Sequence, residues 1–161
     1  MISGIIEGFY GPPWSHESRL DFIDFLAAHG GNTYVWAAKL EPRHRELWAE
    51  PFTSDELAQF AELASQQESV HVLIGLTPGS DATSEQLISK MRPTIENGGH
   101  GVILSFDDLP VLDAATKHRD LANDLIEQLN TQVWLVPTHY AGTTSSPYLE
   151  QLFNGLHEEV L

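Results

Sequence analysis

Two adjacent carboxylates at the end of an apolar segment are the side chains in this sequence best placed to do chemistry. Asp107 and Asp108 follow the apolar run of residues 102–106, and Pro110 ends the strand two residues later. Strand tips in α/β proteins carry the loops that line functional sites. Two neighbouring carboxylates do not both ionise cheaply, so one of them is expected to keep a proton near neutral pH. Alternatively, one aspartate only caps the turn or helix that follows.

The composition indicates one soluble globular domain, residues 1–161, and excludes several function classes. Hydrophobic residues make up 42% and charged residues 19% of the chain, which argues against disorder. The formal net charge of -15 predicts a surface that repels phosphate backbones, so we expect no nucleic-acid partner. The absence of cysteine excludes disulfides and thiolate chemistry. We find no signal peptide and no membrane span, which makes the cytoplasm the default location.

Strand-like and helix-like segments alternate five times along the chain. The predicted strands cover residues 2–9, 33–38, 70–76, 102–106 and 133–136, and the helices between and after them begin near residues 15, 54, 83, 113 and 147. The strands are almost continuously apolar and the crossovers are long, so a parallel sheet covered on both faces is predicted. The fold class is α/β, either a doubly wound sheet or part of a (β/α)8 barrel. No glycine-rich phosphate loop follows any strand, which argues against nucleotide binding.

Capping residues define where the predicted helices start and stop. Ser15 precedes the first helix, and Ser54 is predicted to cap the second. Either Thr83 or Ser84 opens the third helix, and Pro93 is predicted to kink or end its first part. These boundaries place polar and aromatic residues after the strands, which makes one edge of the sheet the functional one.

Four motifs at predicted strand ends carry a family resemblance. They are residues 7–11 (EGFYG) with 13–16 (PWSH), residues 32–34 (NTY) running to Lys39, residues 106–108 (FDD), and residues 137–140 (PTHY). In this order they resemble the catalytic barrel of family-84 glycoside hydrolases, the β-N-acetylglucosaminidases that include O-GlcNAcases and hyaluronidase-like enzymes. The likeness runs through essentially the whole chain. It implies a partial (β/α)8 TIM-type barrel that hydrolyses a glycan or glycoconjugate containing N-acetylglucosamine, without a cofactor.

The resemblance also implies a mechanism in which the substrate supplies its own nucleophile. The oxygen of the 2-acetamido group attacks the anomeric carbon. Matched onto this sequence, Asp107 would orient and polarise the acetamido N–H, while Asp108 would protonate the leaving oxygen and then act as base toward water. Adjacent residues on a regular strand face opposite ways, so the backbone must depart from strand geometry for both to reach one substrate.

The same matching implies four substrate-binding positions. Lys39 would hydrogen-bond a sugar hydroxyl, Tyr140 would position the acetamido group, and the Gly8 carbonyl would meet the sugar with Tyr10 near it. From the residues alone, Lys39 could instead be an exposed strand-end lysine, and Tyr140 a half-buried loop aromatic. Glu7 on the first strand is predicted to be a buried structural acid with a hydrogen-bond partner.

The remaining aromatic and histidine residues give weaker signals. The four tryptophans are predicted to pack in the core rather than to stack on sugar: Trp14, Trp36, Trp48 and Trp134. No pair of the eight histidines has metal-ligand spacing, so no metal is predicted. Three residues depart from the family pattern: Leu40 and Glu41 stand where an acidic pair is typical, and His139 stands where an acid is common.

The strand count leaves the assembly open. The family barrel has eight strands, and we count five, whose two edges and apolar inner face folded proteins would cover. The chain could be a piece of a longer enzyme, could pair with a copy of itself or a second chain, or could bind sugar without cleaving it. We expect a homodimer or a partner that completes the barrel. The two function hypotheses are therefore a retaining β-N-acetylglucosaminidase and a catalytically silent partial barrel that binds N-acetylglucosaminyl ligands or a protein.

Overall fold

The computed structural model describes residues 1–107, 114–140 and 145–161, which form five parallel strands alternating with five α-helices. The strands are β1 (Gly4–Glu7), β2 (Thr33–Trp36), β3 (His71–Leu76), β4 (Gly101–Ser105) and β5 (Gln132–Val136). The helices are α1 (His16–Ala28), α2 (Ser54–Ser65), α3 (Ser84–Glu96), α4 (Ala115–Leu129) and α5 (Pro147–Phe153). None of these helices is long and apolar enough to cross a membrane.

The strand order distinguishes the two architectures that the sequence left open. The order across the sheet is β1-β2-β3-β4-β5, and every neighbouring pair is parallel. A doubly wound sheet reverses its order at a switch point, whereas a barrel adds each strand beside the previous one. The sheet is therefore a partial (β/α)8 barrel, as the family resemblance implied.

Both faces of the sheet bury apolar side chains. Alternate residues of each strand point to opposite faces. On the face toward the helices, Tyr34, Trp36, Val102 and Leu104 belong to the main core cluster. On the inner face, a second cluster of buried side chains comprises Val35, Leu73 and Ile103, with Ala37, Trp134 and Val136 packed against it.

The structure corrects the predicted start of α2 and the predicted helix end at Pro93. Thr53, not Ser54, caps α2, because its side chain accepts from the Glu56 N–H and Glu56 in turn binds the Thr53 N–H. Thr83 caps α3, and Pro93 neither ends nor divides that helix, which runs on to Glu96. Pro93 has no N–H to donate, but the buried packing of Met91 and Thr94 keeps the turn helical.

The predicted open edge at β5 is also partly covered. Val160 forms a parallel bridge with Val133, and the Leu161 N–H donates to the Val133 carbonyl at 3.0 Å. The Leu135 N–H donates to the Leu161 carbonyl at 2.7 Å. The last residues of the chain therefore occupy the place of a sixth parallel strand, which is too short for its pattern to be recognised in the sequence.

Candidate active site

Asp107 lies immediately beyond the carboxyl end of β4, outside the regular strand. Strand β4 ends at Ser105, and Asp107 is in a turn. The backbone of the preceding residue is held on both sides: the Phe106 N–H donates to the Val136 carbonyl, and the Phe106 carbonyl accepts from the Thr138 hydroxyl, both at 2.8 Å. The end of β5 thus fixes the position at which the Asp107 side chain leaves the sheet.

Lys39 and Asp107 form an ion pair that joins the loops after β2 and β4. The Lys39 ammonium lies 3.3 Å from Oδ1 and 3.2 Å from Oδ2 of Asp107. Their side chains are 10% and 19% exposed, respectively. Lys39 is therefore not an ordinary exposed strand-end lysine. The pair places a positive and a negative group together at the functional edge of the sheet.

Tyr140 shares an open cavity with Asp107. Besides these two residues, the cavity of about 510 Å³ is lined by Thr138, His139, Ser145, Ser146 and Leu149. Tyr140 is 66% exposed, so it is not a half-buried loop aromatic. An exposed aromatic side chain beside a carboxylate offers a ligand both a flat apolar surface and a hydrogen-bonding hydroxyl.

Asp108, the predicted acid, lies outside the described residues, as do residues 109–113 and 141–144. Its role as proton donor therefore stays a prediction. Asp107 is the described residue nearest to Asp108 in sequence.

Gly8 and Tyr10 lie on the loop after β1, next to the segment that carries Lys39. The Lys39 N–H donates to the Phe9 carbonyl at 3.3 Å, which holds the two loops together. Tyr10 is 58% exposed, and its hydroxyl accepts a hydrogen bond from the Arg45 guanidinium at 2.8 Å. Neither Gly8 nor Tyr10 is among the described residues that line the Asp107 cavity.

Glu7 is buried and paired, as the sequence predicted. Its two carboxylate oxygens accept from Nε and Nη2 of Arg19 at 2.8 and 2.9 Å, and from the Trp14 N–H at 3.0 Å. The Tyr34 hydroxyl also donates to it. Burial and the hydrogen bond to Glu7 raise the pKa of Tyr34 above its ordinary value, so Tyr34 remains protonated. Because its carboxylate oxygens are bound by Arg19, Trp14 and Tyr34, Glu7 has a structural role.

Arg19 extends this network toward the site, and the sequence pattern did not single it out. Its Nη2 also donates to Glu41 at 2.8 Å, and its guanidinium carbon lies 4.3 Å from the centroid of the Trp36 ring. Burial opposes the charge, but the hydrogen bonds to Glu7 and Glu41 raise the pKa of Arg19 above its ordinary value. Arg19 therefore ties β1 and α1 to the loop that begins at Lys39.

His44 anchors the rest of that loop. It belongs to a short 3-10 helix (Pro42–His44), is buried, and donates from Nδ1 to the Gly75 carbonyl at 2.7 Å. Its own carbonyl accepts from the Thr77 N–H at 2.7 Å. Burial lowers the pKa of His44 to about 4, so the ring is neutral near pH 7. The Lys39 loop is therefore fastened to β3 as well as to α1.

The tryptophans pack against the two core clusters in the described parts of the chain. Trp14, Trp36 and Trp48 pack with the main core cluster and Trp134 with the inner one, as predicted. Among residues 1–107, 114–140 and 145–161, no three histidine, aspartate or glutamate side chains gather closely enough to hold a metal ion.

The chain is similar in sequence and in fold to known proteins. The profile of a family described as beta-N-acetylglucosaminidase matches residues 3–161. The Protein O-GlcNAcases of Rattus norvegicus and Mus musculus are each 28% identical over 186 residues, which cover 97% of this chain and 20% of the relative. A solved structure of a mutant O-GlcNAc hydrolase from Thermobaculum terrenum superposes with a TM-score of 0.90 at 30% identity, and the match covers 99% of this chain and 40% of that one. The chain thus spans 20% of the length of these curated relatives.

Proposed function

This chain belongs to the beta-N-acetylglucosaminidase family of glycoside hydrolases, and we propose that its site hydrolyses β-linked N-acetylglucosamine from a glycoconjugate by substrate-assisted catalysis. The observation that carries the proposal is the meeting of Lys39 with both carboxylate oxygens of Asp107, beside the exposed ring of Tyr140. These three residues come from three separate strand ends. The family resemblance implies that all three would contact the same sugar.

In the proposed reaction, Asp107 accepts a hydrogen bond from the acetamido N–H and so makes the acetamido oxygen a better nucleophile. That oxygen forms a bond to the anomeric carbon while the bond to the leaving oxygen breaks. Asp108 gives its proton to the leaving oxygen. Water then attacks the anomeric carbon, Asp108 takes a proton from the water, and the bond to the acetamido oxygen breaks. The two inversions give net retention of configuration.

Lys39 and Tyr140 would bind the sugar rather than take part in bond making. When substrate enters, the Lys39 ammonium would exchange part of its contact with Asp107 for a sugar hydroxyl, which frees carboxylate lone pairs for the acetamido group. Tyr140 would lie against the acetamido group. Gly8 and Tyr10, on the neighbouring loop, would meet the sugar from the β1 side.

The test is the hydrolysis of aryl N-acetyl-β-glucosaminides with two leaving groups of different basicity. Asp108→Ala should lower kcat/KM, which reports the step in which the leaving group departs, about 100- to 10,000-fold for the more basic leaving group, as expected for loss of a general acid. It should lower kcat/KM much less for the leaving group that departs without a proton. The exposed Asp21→Ala serves as the matched control. Equal losses for both leaving groups would remove Asp108 from the acid role.

The second candidate function is a partial barrel that binds N-acetylglucosaminyl groups without cleaving them. It is favoured by one observation, that within the described residues β1 pairs with β2 alone and leaves its other edge uncovered. Under this alternative, the wild-type protein and Asp108→Ala would bind the sugar equally, and neither would hydrolyse it.

We also propose that a second copy of the chain covers the β1 edge and the adjoining inner face.

A further inference from the structure

We propose that His118 and Tyr148 are positioning residues that hold the loop of Asp107 and the loop of Tyr140 in a fixed relation. The inference rests on the proposed function, because it states that these two residues raise the rate of the proposed hydrolysis. Neither residue lines the cavity that contains Asp107, as far as the described residues show. Instead, His118 contacts Phe106, the residue before Asp107, and Tyr148 contacts Thr138, two residues before Tyr140.

The first link is a ring stack beneath Asp107. Phe106, the residue before Asp107, is buried, and its ring lies flat on the His118 imidazole with centroids 3.8 Å apart and planes 5° apart. His118 is itself buried and projects from the first turn of α4. Buried side chains occupy single rotamers and transmit displacement rather than absorb it. A shift of His118 would therefore move the start of the Asp107 turn.

The second link is a hydrogen bond from the loop after β5. The Thr138 N–H donates to the Tyr148 hydroxyl oxygen at 3.2 Å, and the Thr138 hydroxyl donates to the Phe106 carbonyl at 2.8 Å. Tyr140 follows two residues later on the same loop. Thr138, on the loop after β5, thus binds the Phe106 carbonyl at the end of β4 and the Tyr148 hydroxyl on α5.

The third link closes the circuit between α4 and α5. The Tyr148 hydroxyl lies 2.8 Å from Nδ1 of His118. The hydroxyl oxygen accepts from the Thr138 N–H, and we infer that the hydroxyl donates its one proton to Nδ1. This assigns His118 as the neutral ring protonated on Nε2. Burial lowers the pKa of His118 to about 4, which agrees with a neutral ring near pH 7.

The four contacts form a closed ring that runs from Phe106 through His118 and Tyr148 to Thr138 and back to Phe106. The β5 loop gains a further contact, because the His139 ring packs 4.9 Å from the Tyr148 ring and its Nδ1 lies 2.9 Å from the Ser146 hydroxyl. A displacement of about 1 Å in a catalytic group lowers rate about 100-fold. Loosening one hydrogen bond of this ring should therefore lower kcat more than it raises KM, because the sugar contacts assigned to Lys39, Gly8 and Tyr10 lie on other loops.

Tyr148→Phe is the direct test, because it removes one hydroxyl and keeps the buried ring. We expect kcat to fall about 10-fold, within the ~100-fold that a 1 Å displacement causes, with KM changed less than about 2-fold. Thr94→Val is the matched control, since it removes another buried hydroxyl, which donates to the Met91 carbonyl within α3, a helix that carries no residue of the site. It should lower the melting temperature without lowering kcat. An unchanged kcat in Tyr148→Phe, or an equal fall in both variants, would overturn the proposal.

A pair of substitutions at His118 tests the same ring from the other side. Asparagine keeps an acceptor near the position of Nδ1, whereas leucine keeps apolar bulk without one. His118→Asn should retain several-fold more kcat than His118→Leu at equal KM. If Tyr148→Phe does not fold, this comparison decides the matter, and equal kcat values for the two variants would contradict a positioning role.

A readout that needs no turnover separates this proposal from the proposed function. In wild type, histidine nitrogen NMR should show His118 as the neutral tautomer with its proton on Nε2. In Tyr148→Phe, the Thr138 amide should exchange with solvent at least about 10-fold faster, and the Asp107 carboxyl carbon signal should shift. If wild type hydrolyses no aryl N-acetyl-β-glucosaminide, the proposed function fails while these signals still decide the positioning role. Unchanged Thr138 and Asp107 signals would overturn it.

Discussion

At the residue scale, the proposed chemistry depends on the ion pair of Lys39 and Asp107. Each residue was identified by its place at a strand end and by the family motif that contains it. The contact itself was not predictable, because it depends on how two loops, 68 residues apart in sequence, turn toward each other. The pair brings a positive and a negative group together, and the polar groups of a substrate can take the place of either partner.

Lys39→Met tests the binding role assigned to that lysine. Loss of a hydrogen bond between an ammonium and a sugar hydroxyl should lower kcat/KM about 10- to 100-fold, mainly through KM, because charged hydrogen bonds contribute about 1.5–3 kcal/mol. Steady-state kinetics on an aryl N-acetyl-β-glucosaminide measures this. Lys90→Met is the matched control, since Lys90 is a buried lysine whose ammonium donates to a carbonyl, that of Glu50, from α3, a helix that carries no residue of the site. Similar kinetics for the two variants would refute the role of Lys39.

The buried acid on β1 shows what residue-scale reasoning can and cannot reach. A lone glutamate in an apolar strand must find partners, so the sequence was sufficient to predict that Glu7 is buried and bonded. It could not identify Arg19 as that partner, because the pairing requires the packing of α1 on β1. The same holds for His118 and Tyr148, which no motif marks and which only the packing of α4 against α5 brings together.

At the element scale, strand and helix order was predictable because the apolar runs are long and the crossovers regular. Errors occurred where two candidate residues were adjacent, as at Thr53 and Ser54. The spacing of Thr53 to Glu56 is the capping-box pattern, and it contained the information needed to choose. The pairing of Val160 with β5 was missed because two residues have no periodicity to detect.

Thr53→Ala should destabilise the protein by about 1 kcal/mol, because it removes the side chain that caps α2. Ser54→Ala, one residue later, should change the free energy of unfolding by less than about 0.5 kcal/mol, as is usual for exposed positions. Urea denaturation of the two variants gives both values. A larger loss for Ser54→Ala than for Thr53→Ala would return the cap to Ser54.

Two buried neutral histidines should make stability depend on pH. Burial lowers the pKa of both His44 and His118 from 6.5 to about 4. Between pH 6.5 and 4, the unfolded chain binds protons at these histidines that the folded chain does not bind. Their contribution to the free energy of unfolding is therefore fully present above pH 6.5 and is lost as the pH falls toward 4. Each histidine should contribute up to about 3 kcal/mol to this loss.

Urea denaturation between pH 7 and pH 4 measures that loss. His118→Asn should flatten the pH dependence, whereas His29→Asn, at an exposed position, should not. A profile for His118→Asn parallel to that of wild type would contradict the assignment of His118 as a neutral buried ring.

At the scale of the whole molecule, the sheet is an incomplete barrel with an uncovered edge at β1 among the described residues. Ile2 and Ile6 are 56% and 50% exposed there, and with Trp134 they line a small cavity of about 240 Å³ on the inner face. Sequence patterns predicted that such an edge would exist, because five strands cannot close a barrel of eight. They could not predict what covers it, since that depends on surfaces outside the chain's own core.

We expect the purified chain to be a dimer, because a second copy would cover Ile2, Ile6 and the β1 edge. Light scattering after size-exclusion chromatography should give twice the mass of one chain. Ile6→Lys should yield the single-chain mass, while Phe25→Lys, at a side chain equally 50% exposed on α1, should not. A single-chain mass for wild type at all concentrations would show that no second copy covers the edge.

The most direct measurement compares the hydrolysis of an aryl N-acetyl-β-glucosaminide with that of the aryl β-glucoside, which lacks the acetamido group. If the substrate's acetamido oxygen is the nucleophile and Asp107 polarises it, the purified chain cleaves the first substrate and not the second. Asp107→Ala should lower the rate on the first substrate at least about 100-fold, the lower range for loss of a preorganised electrostatic partner. Equal rates on the two substrates, or an Asp107→Ala variant as active as wild type, would contradict substrate-assisted catalysis at this site.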